Sequence, residues 1–572
     1  MQHMTKYFKP HIFAILLTFG IKFVGTYLDI WIPSLMEVML DEKVPSGELT
    51  SIYQYGLLML LCALGCMVLN ITANALASFT AGKITKKIRR DLFSKVQSLS
   101  ARQMDKLTIA SSESRLTSDT YHINQLLTRI QRMGIRAPIL LIGGIIMLVQ
   151  MDWVMALVLV ILLPIISLLV YHITRHGNRL FVKKQTKLDS IVQVLQENIS
   201  GVRVIKALSK GEYEKERFEK VNGEFADISL HAGKVTSITG PVTSTVLHVG
   251  LTAVVVVGAI RVNAGAIRPG VIIAALQYFT MILNAMSGIT RIFIMWSQSQ
   301  ASAIRVAEVL ALPEDMQVQP AEATQETADH IVFDKVNFSY TGVGKNLSDL
   351  SFRLGHGQTL GILGATGSGK STIANLLLRL YDLDSGKILL DGQDVRTIDK
   401  DTLRKKFGVV FQNDFLMEGT VADNIRFFRD IPEEQVKQAA ACAQAGFIWE
   451  KGGLDAPVAI AGNNLSGGQK QRLLIARALA SDPEILVLDD ASSALDYQTD
   501  AAFRRALREH YRNTTTVLVT QRVSSLRHAD LILVMEEGQV IGMGDHDTLM
   551  ETCEEYRLIA KTQMGDGKEG AV

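Results

Sequence analysis

A glycine-rich segment containing a lysine and four hydroxyl residues is the part of the chain best suited to chemistry. Residues 364–372 read Gly-Ala-Thr-Gly-Ser-Gly-Lys-Ser-Thr, between an apolar strand-like run at 359–363 and an apolar helical pattern at 373–380. Strand, loop and helix in this order are what the phosphate-binding pattern G-x-x-x-x-G-K-[ST] requires. A glycine-rich turn that binds nothing is the alternative, and the presence of every required position argues against it.

The residue types in this loop have separate expected roles. Successive glycine N–H groups can turn inward around an anion, at the positive N-terminus of the following helix. Lys370 can reach the terminal phosphates, and the Ser371 hydroxyl can hold Mg²⁺. We therefore predict that the loop binds a nucleoside triphosphate with Mg²⁺, through Gly364, Thr366, Gly367, Ser368, Gly369, Lys370, Ser371 and Thr372.

Two further segments carry functional groups of the same kind. Leu465-Ser466-Gly467-Gly468-Gln469 is a glycine-rich turn at the head of an apolar helical pattern, so Ser466 and the glycine N–H groups can also bind a phosphate. The apolar strand-like run 485–488 ends in Asp489, which delivers a carboxylate to a metal site. Two phosphate-binding helix starts exceed what one nucleotide needs, unless each serves a different nucleotide.

The elements that position these residues lie in the second half of the chain, and the first half has a different composition. Hydrophobic residues make up 48% of the 572 residues, and the excess lies almost wholly before about residue 300. A chain of this length is expected to form two or more domains. The net charge of +2 indicates no field for nucleic acid, so we expect no nucleic-acid partner.

Six apolar segments are long enough to cross a bilayer, which takes about 20 helical residues each. The predicted spans are about His11–Leu40, Ile52–Ala81, a third ending near Gln150, a fourth starting at Trp153, Ile238–Val262 and Val271–Trp296. Only Met151 and Asp152 separate the third and fourth spans, which indicates a tight external turn. Buried core helices are the alternative, but six in succession with consistent charge asymmetry argue against it.

Charge sets the expected orientation and the domain limits. The segment after the second span is rich in Lys and Arg, which places it on the cytoplasmic side, with both termini. Polar segments of helical spacing after the second and fourth spans extend the helices into the cytosol. We predict a transmembrane domain at 1–312, an acidic linker at 313–329 and a nucleotide-binding domain at 330–572. The fold class is an all-α six-helix transmembrane domain followed by an α/β domain with a phosphate-binding loop.

Three smaller features of the sequence carry further expectations. Several ionisable residues fall within the spans, where they suggest a pathway, although snorkelling toward the interface is a simpler explanation: Lys22, Asp29, Glu37, Arg136 and Arg291. The four cysteines lack a metal or disulfide pattern and are expected to be reduced. The first apolar stretch is too long for a cleaved signal and indicates a span.

Taken together, these motifs make the chain resemble a half-transporter of the ATP-binding cassette (ABC) superfamily, of the exporter type. The resemblance rests on the phosphate-binding loop, the Leu465–Gln469 signature and the strand ending at Asp489. It implies an ATPase-coupled transporter of the inner or plasma membrane, embedded in lipid, with ATP and Mg²⁺ as cofactors. It also implies alternating access and a dimer that closes head to tail around two ATP molecules.

The resemblance implies a role for each matching residue. Tyr340 would stack on adenine, and Gln412 would sense Mg²⁺, which Ser371 and Asp489 also hold. The signature Leu465, Ser466, Gly467, Gly468 and Gln469 would act in trans on the nucleotide of the facing subunit. Ser493, Ala494, Leu495 and Asp496 would form the D-loop at the dimer contact. Segments near Ser111–Asp119 and Ser209–Tyr213 resemble the two coupling helices.

Three positions depart from the family's hydrolysing members. Asp490 stands where they carry the catalytic Glu, so its carboxylate is set back by about 1.5 Å, one single bond. Gln521 stands at the position of the switch histidine, and Gln does not become cationic near neutral pH as His can. Residues 459–462 read Ala-Ile-Ala-Gly where many exporters place an acidic residue. Asp490, Gln521 and Gln412 remain the candidate catalytic residues.

These departures indicate a site that holds ATP but turns it over poorly, as in the degenerate subunit of heterodimeric bacterial multidrug exporters. We predict that a second, different half-transporter supplies the catalytic Glu and His, and that this chain exports amphipathic small molecules or drugs. A homodimer that hydrolyses slowly through Asp490 is the alternative assembly. Lipid flippase, peptide exporter and nucleotide-gated regulator are the alternative functions.

Overall fold

The computed structural model describes residues 2–313, 316–320, 328–342 and 344–564. Within it the chain forms two compact units, which are described separately. The first comprises Met1–Gln97 and Ile109–Leu312, and the second comprises Ser98–Thr108 and Pro313–Val572. Much of the predicted linker lies outside the described residues, so its limits stay a prediction.

The first half of the chain is helical throughout. Its α-helices are α1 (Gln2–Phe8), α2 (Ile12–Val38), α3 (Leu49–Ser98), α4 (Ala101–Leu107), α5 (Ile109–Ser114), α6 (Thr120–Met133), α7 (Arg136–Met151), α8 (Trp153–Ala207), α9 (Gly211–Asn263) and α10 (Pro269–Ala311). A 3₁₀ turn at Lys9–His11 and π turns at Met39–Lys43 and Arg115–Asp119 join some of them. At about 1.5 Å rise per residue, the long helices exceed a bilayer's thickness, as the predicted cytosolic extensions require.

Five helical segments among the described residues are apolar and long enough to cross a membrane. They are Met4–Lys43, Leu49–Ser98, Ile109–Met151, Ser244–Asn263 and Pro269–Met286. The predicted fourth span, from Trp153, falls within α8, part of whose side chains lie outside the described ones. The turn before it is as short as predicted, because Asp152 alone separates α7 from α8 and accepts a hydrogen bond from the Met155 N–H at 2.9 Å.

Helix α10 is central to the helical unit, where it packs against α2, α6, α7 and α9. The fully buried Tyr278 on α10 donates a hydrogen bond to the Ile30 carbonyl at 2.8 Å. Gly144 on α7 faces Ile282, and an added Cβ would lie 2.9 Å from the Ile282 side chain. Small residues therefore let these helices approach closely, as is common between membrane helices.

Two of the ionisable groups within the predicted spans pair with each other, and a third has a polar partner. Arg136 donates to Asp29 at 3.0 Å, across α7 and α2. Lys22, 2% exposed, donates to the Asn74 side chain at 3.1 Å. Paired polar groups of this kind are what burial in an apolar helical bundle requires.

The second unit is built on three sheets. Its strands are β1 (Asp329–Phe338), β2 (Leu347–Gly355), β3 (Thr359–Gly364), β4 (Ser385–Leu390), β5 (Gln393–Asp394), β6 (Phe407–Val410), β7 (Gly419–Thr420), β8 (Pro457–Val458), β9 (Ile485–Asp489), β10 (Thr515–Val519), β11 (Leu531–Glu536) and β12 (Gln539–Gly544). The order β2-β1-β4-β5 forms an antiparallel sheet, and β12-β11-β3-β10-β9-β6 forms a sheet that is parallel except for β12. Strands β7 and β8 form a small antiparallel pair.

Helices cover the six-stranded sheet, whose strands β9 and β10 are buried at every residue. The α-helices that follow β3 in this unit are α11 (Lys370–Leu377), α12 (Lys400–Lys405), α13 (Val421–Arg426), α14 (Glu433–Cys442), α15 (Phe447–Glu450), α16 (Gly467–Leu479), α17 (Tyr497–His510), α18 (Val523–Leu526), α19 (His546–Thr552) and α20 (Glu554–Met564). Continuous apolar strands are typical of a parallel sheet that is covered on both faces. The predicted α/β organisation is confirmed.

The short helix α4 belongs to the second unit although it lies between membrane helices in sequence. A capping box at Ser100 starts it, and Arg102 donates to the Ser339 carbonyl at 3.1 Å. The Tyr381 hydroxyl donates to Asp105 at 2.6 Å. The first predicted coupling segment, Ser111–Asp119, falls in the helical unit, and its coupling role stays a prediction. The second, Ser209–Tyr213, contains the turn between α8 and α9 and stays a prediction.

Candidate functional site

Three parallel strands bring the predicted site residues to one edge of the six-stranded sheet. Strand β10 lies between β3 and β9, and Val519 pairs with Ile362 on one side and Asp489 on the other. Their carboxyl ends border a cleft of about 300 Å³, the usual location for ligands in such sheets. The cleft is lined by Tyr340, Asn346, Thr366, Gly367, Gly369, Lys370, Ser371, Thr372, Gln412, Asp489, Asp490, Val519, Thr520 and Gln521.

Close packing explains why the loop after β3 needs glycine. A Cβ on Gly364 would lie 2.3 Å from the Met535 carbonyl oxygen, and one on Gly369 would lie 2.7 Å from that of Asn346. Gly369 also has φ +98°, a conformation that L-residues rarely adopt. Gly364 and the buried Ser368 belong to the loop but do not line the cleft.

Lys370 begins α11 on the floor of the cleft. Its Nζ donates to the carbonyls of Gly364 at 2.9 Å and Ala365 at 2.6 Å. Burial lowers the pKa of Lys370, while the nearby carboxylates of Asp489 and Asp490 act in the opposite direction. The ammonium therefore stays close to the loop where phosphate oxygens are expected.

The two consecutive carboxylates differ in position. Asp489 ends β9, is 4% exposed and accepts a hydrogen bond from the Ser371 hydroxyl; burial raises its pKa. Asp490 follows in the left-handed region with φ 51°, and its N–H donates to the Val519 carbonyl at 2.9 Å. Burial also raises the pKa of Asp490, although a hydrogen bond from Ser493 opposes that shift. The backbone hydrogen bond ties the position of Asp490 to the sheet.

Tyr340 borders the other side of the cleft. Its ring contacts Tyr381 edge-on, with centroids 5.0 Å apart, and its hydroxyl accepts a hydrogen bond from Asn375 at 3.0 Å. The Asn346 side chain accepts from the Tyr340 N–H at 3.0 Å. Sequence reasoning missed Asn346, because no motif points to an asparagine in the turn between two antiparallel strands.

Gln521 lines the cleft, and an unexpected residue holds its backbone. The Gln563 side chain on α20 donates to the Gln521 carbonyl at 2.7 Å and accepts from the Val523 N–H at 2.8 Å. This two-bond clamp was not predicted, since Gln563 lies 42 residues further along the chain. Gln412, just past β6, also lines the cleft.

The signature segment lies apart from this cleft. Ser466 caps α16 by accepting from the Gln469 N–H at 3.3 Å, and Gln469 Oε1 accepts from the Ser466 N–H at 3.1 Å. Ser466 and Gly467 are exposed, and among the described residues none from Leu465 to Gln469 lines the cleft. One chain therefore presents two separated helix starts of the type that can bind an anion.

The predicted D-loop is held by two side chains that flank it. Gln471 on α16 donates to the Ser493 hydroxyl at 3.0 Å and accepts from the Ala494 N–H at 2.9 Å. Arg522, the neighbour of Gln521, donates to the carbonyls of Ser493 at 3.1 Å and Leu495 at 3.3 Å. The D-loop thus connects the signature helix with the segment that follows β10.

Oxygen donors suited to a magnesium ion converge in the cleft. Ser371 contributes a hydroxyl, Asp489 a carboxylate and Gln412 a side-chain amide. Hard oxygen ligands are what Mg²⁺ prefers, and it usually combines one or two carboxylates with substrate phosphates. The residues present fit this ion.

A glycine-rich phosphate loop, a strand-end carboxylate and apolar helices long enough to cross a bilayer define a membrane transport ATPase. Residues 11–286 match the ABC transporter transmembrane region, and residues 347–493 match the ABC transporter family. The chain belongs to the ABC transporter family and is an exporter: a membrane protein with a cytoplasmic nucleotide-binding domain that binds ATP and drives transport with it. The predicted family, fold class and ATPase class are confirmed.

Relatives of similar length support this assignment. An uncharacterized ABC transporter ATP-binding protein of Mycobacterium tuberculosis is 31% identical, over 100% of this chain and 99% of its own length. An ATP-dependent lipid A-core flippase of Vibrio cholerae is 29% identical, over 95% of this chain and 94% of its own length. A solved bacterial Atm1-family ABC exporter with ATP bound has the same fold, with a TM-score of 0.81 over 98% of this chain and 100% of that one, at 21% identity.

Proposed function

We propose that this chain is one subunit of a heterodimeric exporter of amphipathic small molecules, and that its own ATP site binds nucleotide but hydrolyses it poorly. One observation carries the proposal: Asp490 and Gln521 line the same cleft as a complete phosphate-binding loop. Both positions depart from the hydrolysing pattern. A change at one position could be neutral drift. Two changes in one site that keeps its binding groups favour a site that holds nucleotide but hydrolyses it poorly.

Each site residue has a proposed role. Tyr340 stacks on adenine, while the loop N–H groups and Lys370 hold the phosphates. Asp490 takes the position of the base and Gln521 that of the γ-phosphate contact. Ser371, Asp489 and Gln412 would hold Mg²⁺, which supplies positive charge that stabilises the charge developing on the phosphates. The carboxylate of Asp490 is too short to orient a water as a Glu would.

The separation of the signature segment from the cleft supports a head-to-tail arrangement. Ser466 and Gly467 are exposed at the start of α16, where the Ser466 hydroxyl, the Gly467 N–H and the helix dipole can receive an anion from another subunit. We place the γ-phosphate of the partner's ATP there. Ser493–Asp496 would then lie at the contact between the two nucleotide-binding domains.

In the mechanism we propose, ATP favours the closed dimer, and closure moves the membrane helices from inward-open to outward-open. Shifting such an equilibrium from 1:99 to 99:1 requires about 5.5 kcal/mol of differential affinity. ATP retained at this chain's site would supply part of that difference through successive cycles. Hydrolysis at the site completed by Ser466 then resets the transporter. The domain limits 1–312, 313–329 and 330–572 and a location in the bacterial inner membrane belong to the same proposal.

A lipid is the second candidate substrate. The relative of Vibrio cholerae that is 29% identical over nearly its full length is a lipid A-core flippase, and a lipid is itself amphipathic. Reconstituted vesicles separate the two possibilities. Transfer of a labelled lipid between leaflets without accumulation of amphipathic dyes would favour the flippase; dye accumulation without lipid transfer would favour the small-molecule exporter.

The heterodimer is tested by purifying the chain alone and together with the half-transporter encoded beside it. We expect substantial ATPase activity only for the pair. Within the pair, Ser466→Ala should reduce ATPase activity more than Asp490→Asn, because Ser466 completes the site that hydrolyses. The proposal would be contradicted if the chain alone had the same ATPase activity as the pair. It would also be contradicted if Asp490→Asn reduced the ATPase activity of the pair more than Ser466→Ala.

A further inference from the structure

A second polar cluster lies at the end of the sheet opposite to the nucleotide cleft. It joins His330 of β1, His356 of the turn between β2 and β3, and Asp391 of the turn before β5. His330 contacts Thr515, the first residue of β10, whereas the last residue of that strand, Val519, borders the cleft. The cluster therefore has no part in nucleotide binding.

The donor atoms of the three side chains lie close together. One ligand atom from each falls within 4.8 Å of the other two. Asp391 Oδ1 is 3.1 Å from His356 Nε2 and 3.8 Å from His330 Nε2. Donor atoms around a tetrahedral zinc ion are separated by about 3.3 Å, from Zn–N and Zn–O distances near 2.0–2.1 Å. The two distances from Asp391 Oδ1 are thus near those within a coordination shell.

The buried histidine supplies an independent indication of a ligand. His330 is 1% exposed, and its Nε2 has no hydrogen-bond partner among the described residues although it points into the cluster. Its Nδ1 lies 2.7 Å from the Thr515 hydroxyl oxygen, which also accepts from the Gly357 N–H at 3.0 Å. When Nδ1–H donates to Thr515, Nε2 presents a lone pair, as in metal sites where an outer partner fixes the ligand's tautomer. Burying such a nitrogen without a partner is costly.

The two oxygens of Asp391 face different groups. Oδ1 faces both histidines, and Oδ2 lies 3.5 Å from the Lys406 ammonium. Lys406 also forms an ion pair with Glu484 at 2.6 Å. Lys406 thereby orients the carboxylate, while Glu484 offsets its positive charge. With neutral imidazoles, one net negative charge remains to receive a cation.

We propose that His330, His356 and Asp391 bind a divalent transition-metal ion of the zinc type. Two imidazoles and a carboxylate suit Zn²⁺ better than Mg²⁺ or Ca²⁺, which prefer oxygen ligands. The imidazole rings stack with centroids 3.9 Å apart, so coordination by both requires the His356 ring to rotate out of the stack. The His356 side chain is 64% exposed, which leaves space for that rotation. A bound ion would fasten β1 to the turns that follow β2 and β4 and so stabilise the antiparallel sheet.

The test uses the full-length chain, purified with a tag that contains no histidine and kept in excess Mg²⁺ to occupy the nucleotide cleft. Zn²⁺ is added without nucleotide, and binding is followed by calorimetry; Co²⁺ replaces it for absorption spectroscopy. His356→Ala removes an exposed ligand with little risk to the fold. His510→Ala, at the exposed end of α17, is the matched control.

We expect one Zn²⁺ per chain, a d–d absorption typical of a low-coordinate Co²⁺ site, and a higher melting temperature with Zn²⁺. His356→Ala should weaken Zn²⁺ binding on the order of 100-fold or more, since even loss of outer partners costs about 10–100-fold. His510→Ala should leave binding unchanged. Zn²⁺ binding of equal affinity in the wild type and His356→Ala, or no binding in either, would overturn the proposal.

Discussion

Lengthening the side chain at position 490 tests whether geometry limits hydrolysis at this chain's own ATP site. The position is suited to such a test because the Asp490 N–H donates to the Val519 carbonyl at 2.9 Å, so the backbone is tied to the central strand. An Asp490→Glu substitution then extends the carboxylate into the cleft without moving the strand end. Gln521→His restores a side chain that can become cationic near neutral pH.

The expected magnitude follows from one methylene group. The Asp490 carboxylate is set back by about 1.5 Å relative to that of a glutamate, the length of one C–C bond. A misplacement of about 1 Å in an active site can cost on the order of 100-fold in rate. Asp490→Glu should therefore raise turnover at this site by on the order of 100-fold, equal to about 2.7 kcal/mol of barrier. Adding Gln521→His should raise it further.

The assay is steady-state phosphate release from the full-length chain in lipid nanodiscs, alone and paired. The chain alone isolates this site, because any homodimer contains only Asp490-type sites. Asp490→Asn is the matched control, since it keeps the length and removes the charge. Gln521→His alone separates the two contributions. ATP affinity is measured beside turnover, and it should change little because Lys370 and the loop remain.

One result would refute this reasoning. If Asp490→Glu with Gln521→His hydrolyses ATP no faster than the unmodified chain, while both bind ATP equally and dimerise, then carboxylate length does not limit the site. If Asp490→Asn lowers the ATPase activity of the pair as much as Ser466→Ala does, Asp490 already acts as an efficient base.

Three further predictions concern the same domain. Gln563→Ala should lower the free energy of unfolding, measured by chemical denaturation, by about 1–2 kcal/mol, because the buried Val523 N–H and the Gln521 carbonyl lose their partner. Gln563→Glu keeps the acceptor for the Val523 N–H and should therefore lower it less. Arg379 is 1% exposed and donates to four backbone carbonyls and a carboxylate, so Arg379→Met should lower the free energy of unfolding by about 3 kcal/mol. An unchanged melting temperature would contradict this. Cys442 is buried, which raises its pKa to about 12, so iodoacetamide at pH 8 should not alkylate it until denaturant is added. Mass spectrometry checks this, and alkylation of Cys442 in the native protein would show that α14 opens.

Local chemistry explains why so much of this protein could be predicted from its sequence. The strands Thr359–Gly364, Ile485–Asp489 and Thr515–Val519 read as apolar runs because they are buried on both faces. The phosphate loop is one contiguous segment, so its glycines, Lys370 and Ser371 reveal the site without knowledge of the fold. Long apolar helices can also be recognised from the sequence, because the thickness of a bilayer sets the length of a spanning helix.

Contacts between distant segments could not be predicted in this way. The Gln563 clamp on Gln521 and Val523, and the Arg522 contact with the D-loop, join side chains and carbonyls that no local pattern relates. His330, His356 and Asp391 are separated along the chain by 26 and 35 residues and meet only where β1 lies beside the turns that follow β2 and β4. Helix α4 shows the same limit, since its residues pack on a sheet that begins more than 200 positions later.

The sequence by itself thus determined the family and the fold class and predicted the residues that bind ATP, because each depends on local pattern and composition. Only the tertiary structure decided which side chains support the segment after β10, which helix joins the nucleotide-binding unit, and where an unpaired imidazole faces a carboxylate. The physical reason is that hydrogen bonds and ion pairs act over about 3 Å in space, whatever the separation of their partners along the chain.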